Sequence, residues 1–139
     1  MRRQARINWT TLFCVVIAYQ LLGTLWYSNY MFGEIWVIGL SKSVEDVGAY
    51  GVFIYLIGIA LAYQLNIFFA QLFIKENIHN FSNAFFRTLK LWGAFFVPLL
   101  LPLFLFSGYS IPSALIFLSY TIACLAISSF GITRWPAKR

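Results

Sequence analysis

The stretch Gly23-Thr-Leu-Trp-Tyr-Ser-Asn-Tyr-Met-Phe-Gly-Glu-Ile-Trp36 ends the first long apolar run of the chain with a dense group of aromatic residues. Trp and Tyr side chains favour the headgroup level of a membrane, where an apolar ring and a polar atom are both accommodated. Trp9 and Trp26 are 17 residues apart, which corresponds to about 26 Å at helical rise and approaches the ~30 Å thickness of the hydrocarbon. The stretch therefore predicts that a helix crosses a membrane here and that the chain then turns at Gly33.

Composition extends this interpretation to the whole chain. Of 139 residues, 61% are hydrophobic and 10% are charged, whereas about 25% of residues are charged in soluble domains. A soluble fold of this size could not hide so much apolar surface, because small domains bury only about two-thirds of their chain. We therefore predict a single integral membrane domain over residues 1–139, with the lipid bilayer as its solvent.

The predicted fold is all-α, a bundle of four transmembrane helices. The predicted spans are approximately residues 7–30, 48–74, 84–106 and 112–133. The last two lie in one charge-free run from Leu91 to Thr133, which is too long for a single helix. A hairpin divides this run, because Gly108 suits a turn and Pro112 suits the first turn of a helix. Residues 31–40 are too few to span and are predicted either to lie in the interface or to re-enter the membrane.

Basic residues predict the orientation of this bundle. Of its ten Lys and Arg residues, only Lys42 falls on the side that also carries Glu45 and Asp46. Cytoplasmic loops of membrane proteins carry the excess of Lys and Arg, so both termini are predicted to be cytoplasmic. The net charge of +6 does not indicate a nucleic-acid partner, because these residues sit at segment ends and no soluble groove is available to carry them.

Ionisable and nucleophilic residues exclude several function classes. No predicted span has a charged or His side chain near its middle, although such groups mark proton relays and ion pathways. No nucleophile–base pair or phosphate-binding loop is visible either, so neither an enzyme nor a proton-driven carrier is expected. Cys14 and Cys124 lie inside apolar segments and are predicted to be buried free thiols. With a lone His79 they do not make a ligand set, so neither a metal nor a cofactor is predicted.

Neutral polar residues form a predicted layer near the middle of the membrane. The tetrapeptide Ala-Tyr-Gln-Leu occurs at residues 18–21 and again at residues 62–65. Helical rise puts Gln20 about 18 Å and Gln64 about 16 Å from the cytoplasmic ends of their spans. The layer comprises Tyr19, Gln20, Tyr63, Gln64, Asn66 and Tyr120. These groups either line a site for a solute or hydrogen-bond across helices and hold the bundle together, and we favour the second interpretation.

A second candidate site lies on the outer surface. Glu34 is framed by Tyr30, Trp36 and the turn at Gly33, an arrangement that could bind a cation or a partner. The alternative is an ordinary interfacial carboxylate that caps a helix or pairs with Lys42.

Two further features concern helix geometry. Gly51, Gly58 and Ala62 follow one another at intervals of seven and four residues, so they share a helix face that would let another helix approach closely. Pro98 and Pro102 each remove a backbone hydrogen bond from the third span, which predicts a fixed kink or a gating hinge.

The motif Gly23-x-x-Trp26-Tyr27-Ser28, followed by Phe32-Gly33-x-x-Trp36, resembles the signature of the DUF1761 family of small bacterial membrane proteins. The similarity continues at Trp92-Gly93, Pro98, Leu105-Phe106-x-Gly108, Tyr120, Gly131 and Trp135. The resemblance implies a four-span bundle in a bacterial cytoplasmic membrane and supplies no activity. The chain departs from the family pattern at Glu34, where a basic residue is common, and at Tyr109-Ser110, where Arg-Pro is common.

Two functions follow as predictions. The first is a non-enzymatic helical bundle that acts as an interaction or accessory subunit, either as a homo-oligomer or within a larger membrane complex. The second is a transporter or channel for a small neutral or apolar solute. An interaction subunit should have a dry core, whereas a transporter should have a wet cavity that reaches Gln20, Gln64 and Tyr120.

Overall fold

The computed structural model describes residues 7–39 and 51–136, and within these ranges the chain is helical with no strand. The helices are α1 (Trp9–Trp26), α2 (Gly33–Ile38), α3 (Gly51–Glu76), α4 (Phe81–Leu91), α5 (Val97–Phe106) and α6 (Ile111–Arg134). A π-helical turn, Trp92–Phe96, joins α4 to α5, so that Phe81–Phe106 forms one span. Four helices are long and apolar enough to cross a membrane, which confirms the predicted four-span all-α fold.

The first span is shorter than the predicted residues 7–30. It begins after Asn8, whose side-chain oxygen accepts the Thr11 N–H at 3.2 Å. Such a cap satisfies an amide that has no partner within the helix. The helix ends at Trp26, and the chain then folds into a tight turn in which the Gly33 N–H donates to the Ser28 carbonyl at 2.9 Å. α2 begins directly from this turn.

The turn between α3 and α4 depends on two asparagines. Asn77 has a φ of 54°, a left-handed conformation that asparagine tolerates better than most residues. The Ile78 N–H then donates back to the Phe73 carbonyl at 2.9 Å, which closes the end of α3. The Asn80 side chain accepts the Asn83 N–H at 2.8 Å, so α4 begins at Phe81, three residues before the predicted start of the span.

The predicted hairpin between the last two spans is confirmed. Gly108 has a φ of 80°, which a residue with a side chain rarely adopts. The Tyr109 N–H donates to the Phe104 carbonyl at 3.2 Å and closes α5. The Ser110 side chain caps α6, and Pro112 lies in its first turn.

α6 is the central helix of the bundle and packs against α1, α2, α4 and α5. α1 also packs against α3. One buried cluster joins α1, α3 and α6 through Val15, Val16, Tyr19, Ala62 and Cys124. A second joins α3, α4 and α6 through Phe69, Phe73, Ala84 and Leu125. The start of α1 and the end of α6 lie together, because Asn8 Nδ2 donates to the Trp135 carbonyl at 3.1 Å. That these ends are cytoplasmic stays a prediction.

The third span is irregular where the proline pair lies. Pro98 has no N–H to offer the carbonyl four residues before it, and its ring would crowd that carbonyl in a regular helix. The π-helical turn ends at Phe96, two residues before Pro98, with the Val97 N–H donating to the Trp92 carbonyl, and so widens the helix just before the proline. Pro102 lies inside α5. A gating role for this pair stays a prediction.

Candidate functional site

A buried polar cluster lies where α1, α3 and α6 meet. The Tyr19 hydroxyl hydrogen-bonds to the Ser128 hydroxyl, and the Asn66 side chain approaches the same Tyr19 hydroxyl. Asn66 and Ser128 are fully buried and Tyr19 is 6% exposed. Asn66 Nδ2 donates to the Ala62 carbonyl of its own helix at 2.8 Å. One residue from each of three spans therefore contributes to this cluster.

Two further residues of the predicted layer join it. The Tyr120 hydroxyl donates to the Tyr19 carbonyl at 3.3 Å, which links α6 to α1 a second time. Tyr63 packs against the buried cluster that contains Tyr19. The structure thus brings together Tyr19, Tyr63, Asn66 and Tyr120 of the six predicted residues.

The two glutamines of the predicted layer are placed differently. Gln64 is exposed on the outer face of α3, on the side of the helix away from the core residue Asn66. Gln20 is half-buried on α1, and within the described residues no side-chain hydrogen bond joins it to Tyr19 or Asn66. The repeated tetrapeptide therefore places Tyr19 in the core and Tyr63 against it, but it does not pair the two glutamines in one layer.

One acceptor in this cluster has no partner. Among the residues that the structure describes, Asn66 Oδ1 is the buried side-chain oxygen without a hydrogen bond. Such a group costs about 1–3 kcal/mol when it is left unsatisfied, and a buried water or a donor on a solute would satisfy it. Chemically, the amide and the three phenol or hydroxyl groups offer hydrogen bonds and no charge.

The prediction of buried free thiols is right for Cys124 but not for Cys14. Both are free thiols, and Cys124 is buried in the core beside Tyr19. The predicted burial of Cys14 is wrong, because its side chain lies on the outer side of α1 and is exposed. An apolar segment in lipid has no requirement to turn a thiol inward, since the outer surface is also apolar. Over residues 7–39 and 51–136, no three His, Cys, Asp or Glu side chains are grouped to hold a metal.

The predicted outer-surface site is not assembled as one unit. Glu34 is exposed in the first turn of α2, and Tyr30 is 94% exposed. Trp36 instead packs inward, with its ring centroid 4.8 Å from that of Tyr27 and 6.4 Å from that of Tyr109. Trp36 is therefore part of an aromatic contact between α2 and the neighbouring turns. The predicted pairing of Glu34 with Lys42 lies outside the described residues.

The predicted stripe of small residues on α3 is not a close helix contact within this chain. Ala62 is buried against α1 and α6, but a Cβ added at Gly58 would meet nothing within 4 Å. The surroundings of Gly51 lie outside the described residues.

The close helix contact lies on α6 instead, at residues that were not predicted. Cys124, Ser128 and Gly131 are buried, and intervals of four and three residues put them on one face toward α1. Tyr19 bonds to Ser128, and Val15 packs directly on Gly131. Small residues at these intervals in a charge-free run are a pattern that the sequence contains.

Other cross-helix hydrogen bonds were also not predicted. Trp26 Nε1 donates to the Ile116 carbonyl at 3.2 Å, and Trp92 Nε1 donates to Thr121 Oγ1 at 2.9 Å. The Thr88 and Ser129 hydroxyls lie 3.3 Å apart and are fully buried. These bonds connect α6 to α1 and to the third span at several depths.

One of three comparisons with known proteins identifies a family. The model of the family described as "Protein of unknown function (DUF1761)" matches residues 10–133, which is most of the chain. No curated protein and no solved structure matches the chain. The matched range includes the turn between α1 and α2, the π-helical turn and the stripe Cys124, Ser128 and Gly131. The chain therefore belongs to the DUF1761 family of proteins of unknown function.

Proposed function

We propose that this protein is a non-enzymatic interaction subunit of the membrane, which associates with a second copy of itself through the outer face of α3. The position of Gln64 carries the proposal. Its side chain is exposed, and it lies 12 residues before Glu76 at the end of the span. Twelve residues correspond to about 18 Å of helix, so the amide lies near the middle of the hydrocarbon.

An amide at that depth requires a partner. In lipid there is no water to hydrogen-bond it, and burying an amide without a partner costs roughly 2–7 kcal/mol. Glutamine side chains accordingly form hydrogen bonds between helices in membranes. Among the residues that the structure describes, α1 and the core lie on one side of α3, and no helix lies on its outer side to supply such a bond.

The residues around Gln64 have the spacing of a helix-packing seam. Exposed side chains follow one another at intervals of four and three residues, at Ile57, Leu61, Gln64, Phe68, Gln71 and Lys75. This repeat keeps one face toward a partner helix when two helices cross at a shallow angle. The face opposite, with Ala62, Asn66, Phe69 and Phe73, is the buried one.

A second copy suits this seam for two reasons. An amide offers both a donor and an acceptor, so Gln64 and Gln71 can each pair with the same residue of an identical chain. Copies inserted with the same orientation have parallel α3 helices, and a two-fold axis along the membrane normal then brings equal residues together.

Disulfide cross-linking in membranes tests this proposal. In a chain with Cys14→Ala and Cys124→Ala, we expect Leu61→Cys and Phe68→Cys to form a dimer with oxidant. Leu65→Cys, at the same depth but beside the seam, should cross-link several-fold less. Adding Gln64→Leu to Leu61→Cys should weaken association about tenfold, since such bonds give about 1–2 kcal/mol in peptides.

The outcomes separate the alternatives. Equal cross-linking at residues 61, 65 and 68 would mean that chains collide without a defined interface. A cross-linked product heavier than two copies would replace the second copy by a larger membrane complex. Monomer alone under all conditions would remove the proposal.

A transporter for a small neutral solute is the second candidate, because Asn66 Oδ1 is buried without a partner. If Asn66 is structural, Asn66→Leu keeps the number of side-chain heavy atoms and removes the unsatisfied oxygen together with the Nδ2 bond to the Ala62 carbonyl. We then expect the free energy of unfolding to stay constant or rise by about 1 kcal/mol, measured by denaturant titration in micelles with circular dichroism. The control is Tyr19→Phe, which removes the hydrogen bond to Ser128 and should lower the free energy of unfolding by about 1 kcal/mol. A clear loss of stability with Asn66→Leu would favour a bound water or solute at this position.

A further inference from the structure

A cleft of about 400 Å³ opens on the outside of the α1–α6 pair, at the end of the bundle where Asn8 meets Trp135. Its lining includes the small residues Cys14 and Ala18 from α1 and Ala126 from α6. Small side chains fill little of the space between the two helices, so a volume remains open there. The cleft is separate from the cluster around Tyr19 and from the seam on α3.

Aromatic rings form one wall of the cleft. Phe130 packs edge-on against both Phe81 and Trp135, with ring centroids 6.3 and 5.7 Å apart. Edge-on contacts of this kind are a preferred geometry of aromatic pairs, so the three rings support one another along this wall. The lining is almost entirely apolar, and water gains no hydrogen bonds from such a surface. In a bilayer the matching occupant is a hydrocarbon chain.

The cleft reaches the end of the bundle, since Thr11 and Trp135 both line it. Asn8 and Thr11 both donate to the Trp135 carbonyl, at 3.1 and 2.8 Å, which joins the start of α1 to the end of α6. Arg134 is exposed directly beside this junction. In the sequence, Arg2, Arg3 and Arg6 precede α1, and Lys138 and Arg139 follow α6. Clusters of four to eight basic residues beside a transmembrane helix attract anionic lipid headgroups.

We propose that this cleft is a binding site for one acyl chain of an anionic phospholipid, whose phosphate group lies against Arg134 at the end of α6. The inference is independent of the association through α3, because the two surfaces share no residue. Cys14, exposed within the cleft, provides a direct probe of its occupancy.

Thiol labelling of the full chain in detergent is the first test. We expect phosphatidylglycerol to slow the reaction of Cys14 with a maleimide several-fold, and phosphatidylcholine at the same concentration to have little effect. Cys124 is buried and serves as an internal reference for unfolding. Equal protection by both lipids, or none by either, would overturn the proposal.

Native mass spectrometry after transfer from mixed-lipid nanodiscs is the second test. Ala18→Phe should fill the cleft and reduce retained phosphatidylglycerol more than tenfold, because each buried methylene contributes roughly fourfold in affinity. Arg134→Gln should reduce the preference for phosphatidylglycerol over phosphatidylcholine about fivefold, the factor for one basic residue at an anionic surface. Ala94→Phe, at an exposed alanine outside the cleft, is the matched control. Retention by Ala18→Phe equal to that of Ala94→Phe would overturn the site.

Discussion

Gly131→Ala is expected to lower the free energy of unfolding by about 1–3 kcal/mol, even though alanine is intrinsically the better helix former by about 1 kcal/mol. A Cβ at this position would lie 2.5 Å from Val15 Cγ2 on α1. Val15 is buried, and a valine in a helix has one strongly preferred rotamer, so its methyl group cannot turn away. α1 and α6 must therefore move apart at this contact.

The control for this prediction is Gly93→Ala. A Cβ at Gly93 would meet nothing within 4 Å, so the same substitution should leave stability constant or raise it by up to about 1 kcal/mol. Both variants are compared with the parent chain by denaturant titration in micelles, followed by circular dichroism. Val15→Ala added to Gly131→Ala should recover part of the loss. If the two alanine variants shift stability in the same direction, the close contact does not hold α1 against α6.

The stability changes expected for Gly131→Ala and Gly93→Ala have opposite signs because of the way helices associate in lipid. The hydrocarbon is as apolar as the side chains, so no hydrophobic driving force joins the spans. Helices in lipid therefore associate through close packing and hydrogen bonds. Gly131 packs closely against α1, and Ser128 forms a hydrogen bond to it. Gly131 also lines the cleft together with Cys14 and Ala18.

Local chemistry made part of this fold predictable. The hairpin at Gly108 and Pro112 depends on a left-handed turn and a proline in a first helical turn, and both are properties of single residues. Helix length and the absence of charge fixed the number of spans in the same way. The depth of Tyr19 and Gln64 also follows from counting residues along a helix.

The direction in which a residue faces was not predictable by such counting. Gln20 and Gln64 have equivalent places in the repeated tetrapeptide, yet Gln20 is half-buried and Gln64 is exposed. Hydrophobic periodicity normally gives the direction, but α1 and α3 are apolar on every side because both core and lipid are apolar. The buried face is instead the one with residues that fit a neighbour, which requires knowing the neighbour. For this reason the stripe on α6 was missed and Cys14 was predicted to be buried.

Gly33→Ala is expected to have an effect of similar size in the turn that carries the family motif. A Cβ there would lie 2.7 Å from the Tyr27 carbonyl oxygen and 2.7 Å from the Ser28 carbonyl carbon. These are backbone atoms of the turn itself, so the strain cannot be relieved by rotating a side chain. We expect a loss of about 3 kcal/mol in the free energy of unfolding, at the upper end of the range for overpacking.

The neighbouring Glu34→Gln is the matched control and also tests the outer surface. Glu34 is exposed, so this nearly isosteric change should alter stability by no more than about 0.5 kcal/mol. Opening the turn in Gly33→Ala should in addition separate α2 from α6, where the Ser110 N–H donates to the Gly39 carbonyl at 3.2 Å. Faster amide hydrogen exchange at Ser110 in Gly33→Ala alone would identify the motif as the element that fixes α2 to α6. If Glu34→Gln weakens cross-linking through α3 while stability is unchanged, the carboxylate itself contributes to association, and the motif has a role beyond packing.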